Sequence, residues 1–164
     1  MIVIVSGVSA VGKTTIGKLL AEDLGWHFYE ADDFHSPASV EKMRNGRPLT
    51  DEDRGPWLKR LTEQIARSLA ASENAVVACS ALKRKYREQL RVSDDVKFVF
   101  LHGDYARIEK QLRSRSGHFM SPELLKSQFA DLEEPQSDED AVTIQLGRRP
   151  EELVEEIKER LRLT

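Results

Sequence analysis

Cysteine is nearly absent from this sequence, and its scarcity limits the kinds of site that the chain can build. Cys79 is the single cysteine among 164 residues, which excludes an intramolecular disulfide and a cysteine-rich metal site. Because Cys79 ends the apolar run Ala75–Cys79, we predict that it is a buried structural thiol.

The sequence also lacks an excess of positive charge and any long apolar run. The chain carries 25 Lys and Arg residues against 28 Asp and Glu residues, a net charge of -3, whereas nucleic-acid-binding proteins are typically basic. The apolar residues Met1–Gly7 are too few to span a membrane, and they lack the basic region and cleavage site of a signal peptide. We therefore expect a cytoplasmic protein with no nucleic-acid partner and no membrane partner.

The sequence contains enough apolar residues to form a single domain over residues 1–164. Hydrophobic residues make up 40% of the chain, which is sufficient to bury a core at this length. Five short apolar runs predict β-strands, and several lack polar alternation, which is typical of a parallel sheet covered on both faces. These runs are Ile2–Ser6, Phe28–Glu30, Ala75–Cys79, Val96–Leu101 and Ala141–Leu146.

Apolar residues at helical spacing lie between the predicted strands. The alternation of strands and helices predicts a three-layer α/β fold with right-handed crossovers. Two long polar stretches, residues 32–54 and 114–140, interrupt the alternation, and long insertions of this kind often form substrate clamps or lids. The predicted helices are Thr14–Leu24, Trp57–Ala71, Asp104–Arg113, one that opens at Ser121 and one that begins near Pro150.

A phosphate-binding pattern, G-x-x-x-x-G-K-[ST], follows the first predicted strand and precedes the first predicted helix, the context that this motif requires. Backbone N–H groups of such a loop and the helix N-terminus face the phosphates. We predict that Lys13 reaches the β- and γ-phosphates, that Thr14 offers its hydroxyl to Mg²⁺ and that Thr15 contacts the α-phosphate. The pattern therefore predicts binding of ATP and Mg²⁺, and it consists of Gly7, Val8, Ser9, Ala10, Val11, Gly12, Lys13 and Thr14.

Three acidic residues lie at the end of the second predicted strand and just after it, at the edge of a parallel sheet where ligands bind. Asp32 is our candidate for orienting the acceptor hydroxyl and taking its proton, as phosphoryl transfer to an alcohol requires. Glu30 could hold the hydration shell of Mg²⁺, and Asp33 could cap the following turn. The alternative is that all three are solvated loop residues.

Arg54 lies in the first polar stretch and could bind a substrate carboxylate through its planar guanidinium. The alternative is a surface ion pair with Asp51 or Asp53. Nearby Trp57 is expected to be a core residue rather than a ligand contact.

Further polar candidates follow the third predicted strand. Ser80 could hydrogen-bond a polyol, and Lys83 or Arg87 could hold an anionic group. The basic residues between Lys83 and Arg91 are interpreted mainly as a solvated helix face, because little aromatic sequence is interleaved with them.

The second polar stretch carries arginines that could close over ATP and stabilise charge during transfer. Arg115 is the first candidate for this role and Arg113 the second. His118 is expected to be a structural or lid histidine that also reaches the substrate.

Taken together, these segments resemble the gluconate kinase (gluconokinase) family, of the short P-loop type related to shikimate and nucleoside monophosphate kinases. The phosphate loop is shared by many kinases, whereas the other matching segments are more specific and extend over nearly the whole chain. These segments include Ala31–His35, Asp53-Arg54-x-Pro56-Trp57-Leu58, Cys79–Lys83, Arg115-x-Gly117-His118-Phe119 and Ser127-Gln128-Phe129.

The resemblance implies a five-stranded parallel sheet of order 2-3-1-4-5, an acceptor-binding insertion at about residues 32–56 and a mobile lid at about residues 114–140. It implies transfer from ATP to D-gluconate, giving ADP and 6-phospho-D-gluconate for the pentose phosphate pathway, by a homodimer. It also places His35 among the substrate-binding residues. The paired acidic positions of shikimate kinases match Glu30 and Asp32, in support of Asp32 at the acceptor hydroxyl.

Two departures and two rival interpretations accompany the resemblance. The family often has Gly-Ser where this chain has Ala10-Val11, so we expect altered loop stiffness with ATP binding retained. Residues Thr143–Gln145 should border the adenine, and their variability leaves base preference open. A shikimate-type kinase and a non-catalytic nucleotide-binding switch stay as alternatives, although the acidic residues after strand two and the lid arginine favour catalysis.

Overall fold

The computed structural model describes residues 1–114 and 121–164, and within these ranges the chain forms one sheet of five parallel strands. The strand order is β2-β3-β1-β4-β5, which confirms the predicted order 2-3-1-4-5. Each predicted strand is present, with ends that shift by at most one residue. The strands are β1 (Ile2–Ser6), β2 (His27–Glu30), β3 (Ala75–Ala78), β4 (Val96–His102) and β5 (Ala141–Gln145).

Helices connect the strands, and none in the described ranges is long and apolar enough to cross a membrane. A short 3₁₀ turn, Ala31–Phe34, follows β2. The helices are α1 (Lys13–Leu24), α2 (Pro37–Arg44), α3 (Asp51–Ala70), α4 (Arg84–Leu90), α5 (Tyr105–Ser114), α6 (Pro122–Asp131) and α7 (Pro150–Leu161).

One helix begins earlier than the sequence predicts and another was not predicted, and capping residues set the start of each. Helix α3 begins at Asp51 rather than at Trp57, since Thr50 accepts from the N–H of Asp53 and Asp53 accepts from the N–H of Thr50. Helix α2 lies within the first polar stretch, where Ser36 caps its N-terminus and Pro37 occupies its first turn. Part of that polar stretch is therefore helical.

The sheet is buried between two apolar clusters, one on each face. In β1, Val3 and Val5 contact the cluster that includes α1 and α7, whereas Ile2 and Ile4 contact the cluster that includes α3. All five residues of β1 are buried, as expected for a central strand of a parallel sheet. Cys79 is also buried, and this burial raises the pKa of its thiol to about 12, in agreement with a structural role.

This topology brings the candidate residues to one edge of the sheet. Central strand β1 ends at Ser6, immediately before the phosphate loop. The turn after β2 carries Asp32, and the loop after β3 carries Ser80. Because β3 lies between β1 and β2, all three strands deliver their following loops to the same carboxyl edge.

Candidate active site

The phosphate loop, Gly7–Thr14, has the backbone shape that its sequence predicts. Gly7 has a φ of 144°, and a Cβ there would lie 3.0 Å from the carbonyl oxygen of Leu101, so only glycine fits. Gly12 has a φ of 97° and precedes α1 without a capping side chain. The first N–H groups of α1 are therefore available to an anion.

Ala10 stands where the gluconokinase family often has glycine, and its backbone conformation shows what this difference changes. Its φ is 66°, in the left-handed region, which costs a residue with a Cβ about 1 kcal/mol relative to glycine. An alanine at this position therefore restricts the loop more than glycine would, and the expected change in loop stiffness stays a prediction.

An acceptor cavity lies between the phosphate loop, the turn after β2, and helices α2, α3 and α6. It brings together six residues predicted from the sequence as site residues, which are Ser9, Lys13, Asp32, His35, Arg54 and Ser80. The other lining residues are Met43, Pro48, Leu49, Trp57, Leu124, Ser127 and Gln128. Trp57 is 2% exposed, so it is the core residue predicted, and its ring also forms part of the cavity wall.

Asp32 lies beside a histidine that is held in place by packing. The ring of His35 stacks on Trp57 with centroids 4.4 Å apart, and its Nε2 lies 3.9 Å from Oδ1 of Asp32. Burial lowers the pKa of His35, so the imidazole is neutral at physiological pH. Trp57 donates from Nε1 to the carbonyl oxygen of Ala31 at 2.7 Å, which fixes the turn that carries Asp32.

Glu30 and Thr14 meet at the start of α1. The hydroxyl of Thr14 donates to the carboxylate of Glu30, and burial raises the pKa of Glu30. Within residues 1–114 and 121–164 no group of three acidic, histidine or cysteine side chains could hold a metal ion. A hydroxyl and one carboxylate fit Mg²⁺, which takes few protein ligands together with water and substrate phosphates.

The raised pKa of Glu30 leads to a prediction about stability. The folded state binds this proton more tightly than the unfolded chain, so Glu30 favours folding at low pH and loses that contribution as the pH rises through its raised folded-state pKa. Without nucleotide, we expect Glu30→Gln to raise the Tm at pH 7.5, because the amide still accepts from Thr14 but carries no buried charge. The Tm difference from wild type should shrink toward pH 4.

Thermal unfolding followed by circular dichroism at several pH values measures this effect. Glu22→Gln, an isosteric change at an exposed position on α1, is the matched control and should leave the Tm unchanged. A Glu30→Gln protein that is less stable than wild type at pH 7.5 would show that the charged form is favoured in the folded state.

The guanidinium of Arg54 is buried at the wall of the acceptor cavity, with 10% of the side chain exposed. Its Nη1 donates to Oδ2 of Asp131 at 3.2 Å and to the hydroxyl of Tyr86 at 3.1 Å. The alternative of a surface pair with Asp51 or Asp53 is therefore wrong.

Asp51 and Asp53 have other cationic partners. Asp51 receives the ammonium groups of Lys83 at 3.1 Å and Lys85 at 2.7 Å. Asp53 pairs with Lys42 at 2.6 Å, and this contact together with the N–H of Thr50 lowers the pKa of Asp53 to about 2. These ion pairs stabilise α3 and its neighbours. Because both carboxylates are paired with lysines, Arg54 lines the acceptor cavity instead of pairing with them.

The structure corrects the expectation for Arg87. Its side chain is 3% exposed, and the guanidinium is committed to the Glu139 carboxylate and to the carbonyl oxygens of Ala81, Leu82 and Glu133. Arg87 therefore fastens the loop after β3 to the segment after α6. Among the described residues, Arg54 lines the acceptor cavity, whereas Lys83 and Arg87 do not.

A second cavity, of about 390 Å³, lies on the opposite side of the phosphate loop. Thr15 and α5 residue Arg107 are part of its wall, together with the segment after β5. The prediction that Thr143–Gln145 border the adenine stays a prediction. After β5, the lining of this cavity begins at Leu146 and continues with Gly147, which has a φ of 123°. Ile144 is buried in β5, and the side chain of Gln145 contacts His102 at 2.8 Å.

Of the two arginines predicted to close over ATP, Arg113 lies within the described residues and Arg115 does not. Arg113 pairs with Glu109 one turn earlier on α5, and 72% of its side chain is exposed. Of the α5 residues, Arg107, Gln111 and Ser114 line the second cavity. Arg115 and His118 lie outside the described residues, so their roles stay predictions.

Helix α6 supplies cavity residues to which the sequence analysis gave no role. Leu124 forms a small buried cluster with Met43 and Leu49 at one end of the acceptor cavity. Gln128 accepts a hydrogen bond from the N–H of Ser9 in the phosphate loop at 2.6 Å. The motif Ser127-Gln128-Phe129 was the sequence signal for this residue, but only the tertiary structure shows that Gln128 contacts the phosphate loop.

Comparison with known proteins extends the similarity over nearly the whole chain. The family model of shikimate kinases matches residues 9–162. The gluconokinase of Gluconobacter oxydans is 47% identical over 156 residues, which cover 94% of this chain and 87% of that protein. A crystal structure of a sugar kinase from Janibacter sp. is 43% identical, with a TM-score of 0.94 and coverage of 99% and 95%. A gluconokinase structure from Sinorhizobium meliloti is 38% identical, with a TM-score of 0.83 and coverage of 98% and 94%.

Proposed function

Because this chain belongs to the gluconokinase family of shikimate-kinase-like P-loop kinases, we propose that it transfers the γ-phosphoryl group of ATP to O6 of D-gluconate. The products are ADP and 6-phospho-D-gluconate, which feeds the pentose phosphate pathway. The observation that carries the proposal is the acceptor cavity, where Lys13, Asp32 and Arg54 line one space at the carboxyl edge of the sheet.

We propose a direct in-line transfer in which the protein mainly positions groups and stabilises charge. The N–H groups of the phosphate loop and the ammonium of Lys13 bind the transferring phosphate. Asp32 accepts the proton of the C6 hydroxyl as the new O–P bond forms and the bond to ADP breaks. The predicted role of Arg115 is to stabilise the charge on the transferring group.

Thr14 and Glu30 are the residues proposed to hold Mg²⁺, directly or through its water molecules. When bound, the ion neutralises charge on the β- and γ-phosphates. The hydrogen bond between the Thr14 hydroxyl and the Glu30 carboxylate supports this assignment, because it places both oxygen atoms at the start of α1.

Arg54 is proposed to bind the carboxylate of gluconate. It is buried in the cavity wall, Asp131 and Tyr86 orient its Nη1, and a guanidinium can donate to a carboxylate from other nitrogen atoms. We expect Arg54→Gln to raise the KM for gluconate by about 10- to 100-fold, the loss expected for a charge-assisted hydrogen bond. The KM for ATP should change little.

Steady-state kinetics with each substrate varied in turn measures this split. Arg67→Gln, the same change at an exposed position farther along α3, is the matched control and should retain both KM values. If Arg54→Gln folds with a wild-type KM for gluconate, the carboxylate is bound by another group.

The choice of acceptor is tested by an ADP-release assay with gluconate, shikimate and nucleoside monophosphates. We expect turnover with gluconate. Turnover with shikimate alone would favour the shikimate-type alternative. Binding of Mg-ATP with turnover of none of these acceptors would favour a non-catalytic switch.

We also propose the organisation that follows from this function. Residues 1–164 form one domain, with an acceptor-binding insertion at about 32–56 that supplies six residues of the cavity wall from Asp32 to Arg54. Residues at about 114–140 form a lid, and α6 within that range supports this by lining the cavity. The use of ATP supports a cytoplasmic location, and the family resemblance supports a homodimer, which sedimentation velocity would test.

A further inference from the structure

We infer that Gln128 positions the sugar acid for transfer, through an amide that joins the phosphate loop to the acceptor. Its carbonyl oxygen, Oε1, accepts the N–H of Ser9 at 2.6 Å. Because a backbone N–H only donates, the side-chain atom that faces it must be the oxygen and not the nitrogen. The contact therefore fixes which end of the amide points away from the loop.

The other end of the amide adds two hydrogen-bond donors to the acceptor cavity. Nε2 carries two hydrogens, and within residues 1–114 and 121–164 the side chain of Gln128 forms its hydrogen bond through Oε1 alone. Gln128 is half-buried, and it lines the acceptor cavity next to Ser9 and Lys13. These donors suit a hydroxyl oxygen of a polyol.

Position along the cavity indicates which hydroxyl this is. Ser9 and Lys13 belong to the loop that holds the transferring phosphate, so the Gln128 amide lies at the end of the cavity where O6 must react. Arg54, the proposed carboxylate ligand, is anchored by Asp131, one turn farther along α6. Gln128 therefore donates to the C5 hydroxyl, the neighbour of the hydroxyl that is phosphorylated, and so orients O6 for in-line attack.

This inference rests on the proposed gluconate activity, and its test compares two acceptors on three proteins. Wild type, Gln128→Ala and Gln128→Glu are assayed with gluconate and with 5-deoxygluconate. The glutamate variant keeps an oxygen for the N–H of Ser9 but removes both donors. Lys126→Ala, at an exposed position on the same helix, is the matched control. Mg-ATP affinity and Tm are measured for every protein.

We expect Gln128→Ala to lose about 10- to 100-fold in kcat/KM for gluconate, the effect of one lost hydrogen bond to the substrate. Gln128→Glu should lose at least as much, because it also places a negative charge beside the phosphate loop. With 5-deoxygluconate, wild type and Gln128→Ala should be equally slow, because the hydroxyl that distinguishes them is missing. Mg-ATP affinity should stay at the wild-type value in Gln128→Ala.

Other outcomes would overturn the inference. Full activity of Gln128→Glu would mean that the side chain only anchors the phosphate loop. Tighter Mg-ATP binding by Gln128→Ala would mean that Gln128 competes with a phosphate for the N–H of Ser9. An equal penalty of Gln128→Ala on both acceptors would also remove the C5 hydroxyl as its partner. Failure of wild type to use gluconate would instead overturn the proposed function, and this inference with it.

Discussion

Lys13→Ala is expected to lower kcat at least about 10³-fold, because it removes the ammonium that stabilises charge on the transferring phosphate. The side chain follows Gly12 at the start of α1, and its Nζ donates to the carbonyl oxygen of Val8 at 2.8 Å. The ammonium is thus held across the loop that binds the phosphates. Steady-state turnover of gluconate at saturating Mg-ATP measures the loss.

The fold should survive this substitution, because Lys13 is a partly exposed residue outside the two apolar clusters that cover the sheet. Circular dichroism and thermal unfolding would separate lost chemistry from lost structure. Lys59→Ala, at an exposed position on α3, is the control for removing a lysine. Lys13→Arg should also be slow, since a planar guanidinium does not replace a compact ammonium. Normal turnover in Lys13→Ala would remove the phosphate loop from the mechanism.

Features set by local sequence could be predicted without a structure. The strands were found because both faces of the sheet are covered, so their residues form short continuous apolar runs such as Ile2–Ser6. The phosphate loop was found because its chemistry requires glycine and lysine at fixed spacing between a strand and a helix. Asp32 and Ser80 could be placed near that loop because parallel strands end at one edge.

Features set by long-range contacts could not be predicted in the same way. Three basic residues were equal candidates for the substrate anion in the sequence, and only the fold separates them. Arg87 forms an ion pair with Glu139, 52 residues away, whereas Arg54 forms an ion pair with Asp131 at 3.2 Å beside the acceptor cavity. A basic residue gives no local signal of whether its partner is a carboxylate of the chain or of a ligand.

The neutral side chains that line the acceptor cavity could not be predicted from local sequence either. Gln128 lies 119 residues from Ser9 in the sequence, and the two meet only because the fold places α6 against the phosphate loop. Met43, Leu49 and Leu124 come from three separate segments and form one apolar cluster at the cavity. Binding sites built from several loops therefore require the tertiary structure, even where each element was predicted correctly.

Asp32→Asn is expected to lower kcat by about 10²- to 10⁴-fold, the contribution typical of a general base. The amide keeps the size of the side chain but cannot accept the proton of the O6 hydroxyl. Burial lowers the pKa of its neighbour His35 and so disfavours protonation of that imidazole, and the ring is stacked on Trp57, so we expect His35 to be a poor replacement base. Affinity for Mg-ATP should be mostly retained, because the nucleotide is bound by the phosphate loop.

Asp33→Asn is the matched control, since it is the same substitution at the adjacent exposed residue. Asp33 lines a separate pocket that includes Thr14 and Glu30, whereas Asp32 lines the acceptor cavity. Rapid-quench measurement of a single turnover would report the chemical step separately from product release. A chemical step that is unchanged in Asp32→Asn but slow in Asp33→Asn would transfer the role of base to Asp33, and two unchanged variants would assign it to neither carboxylate.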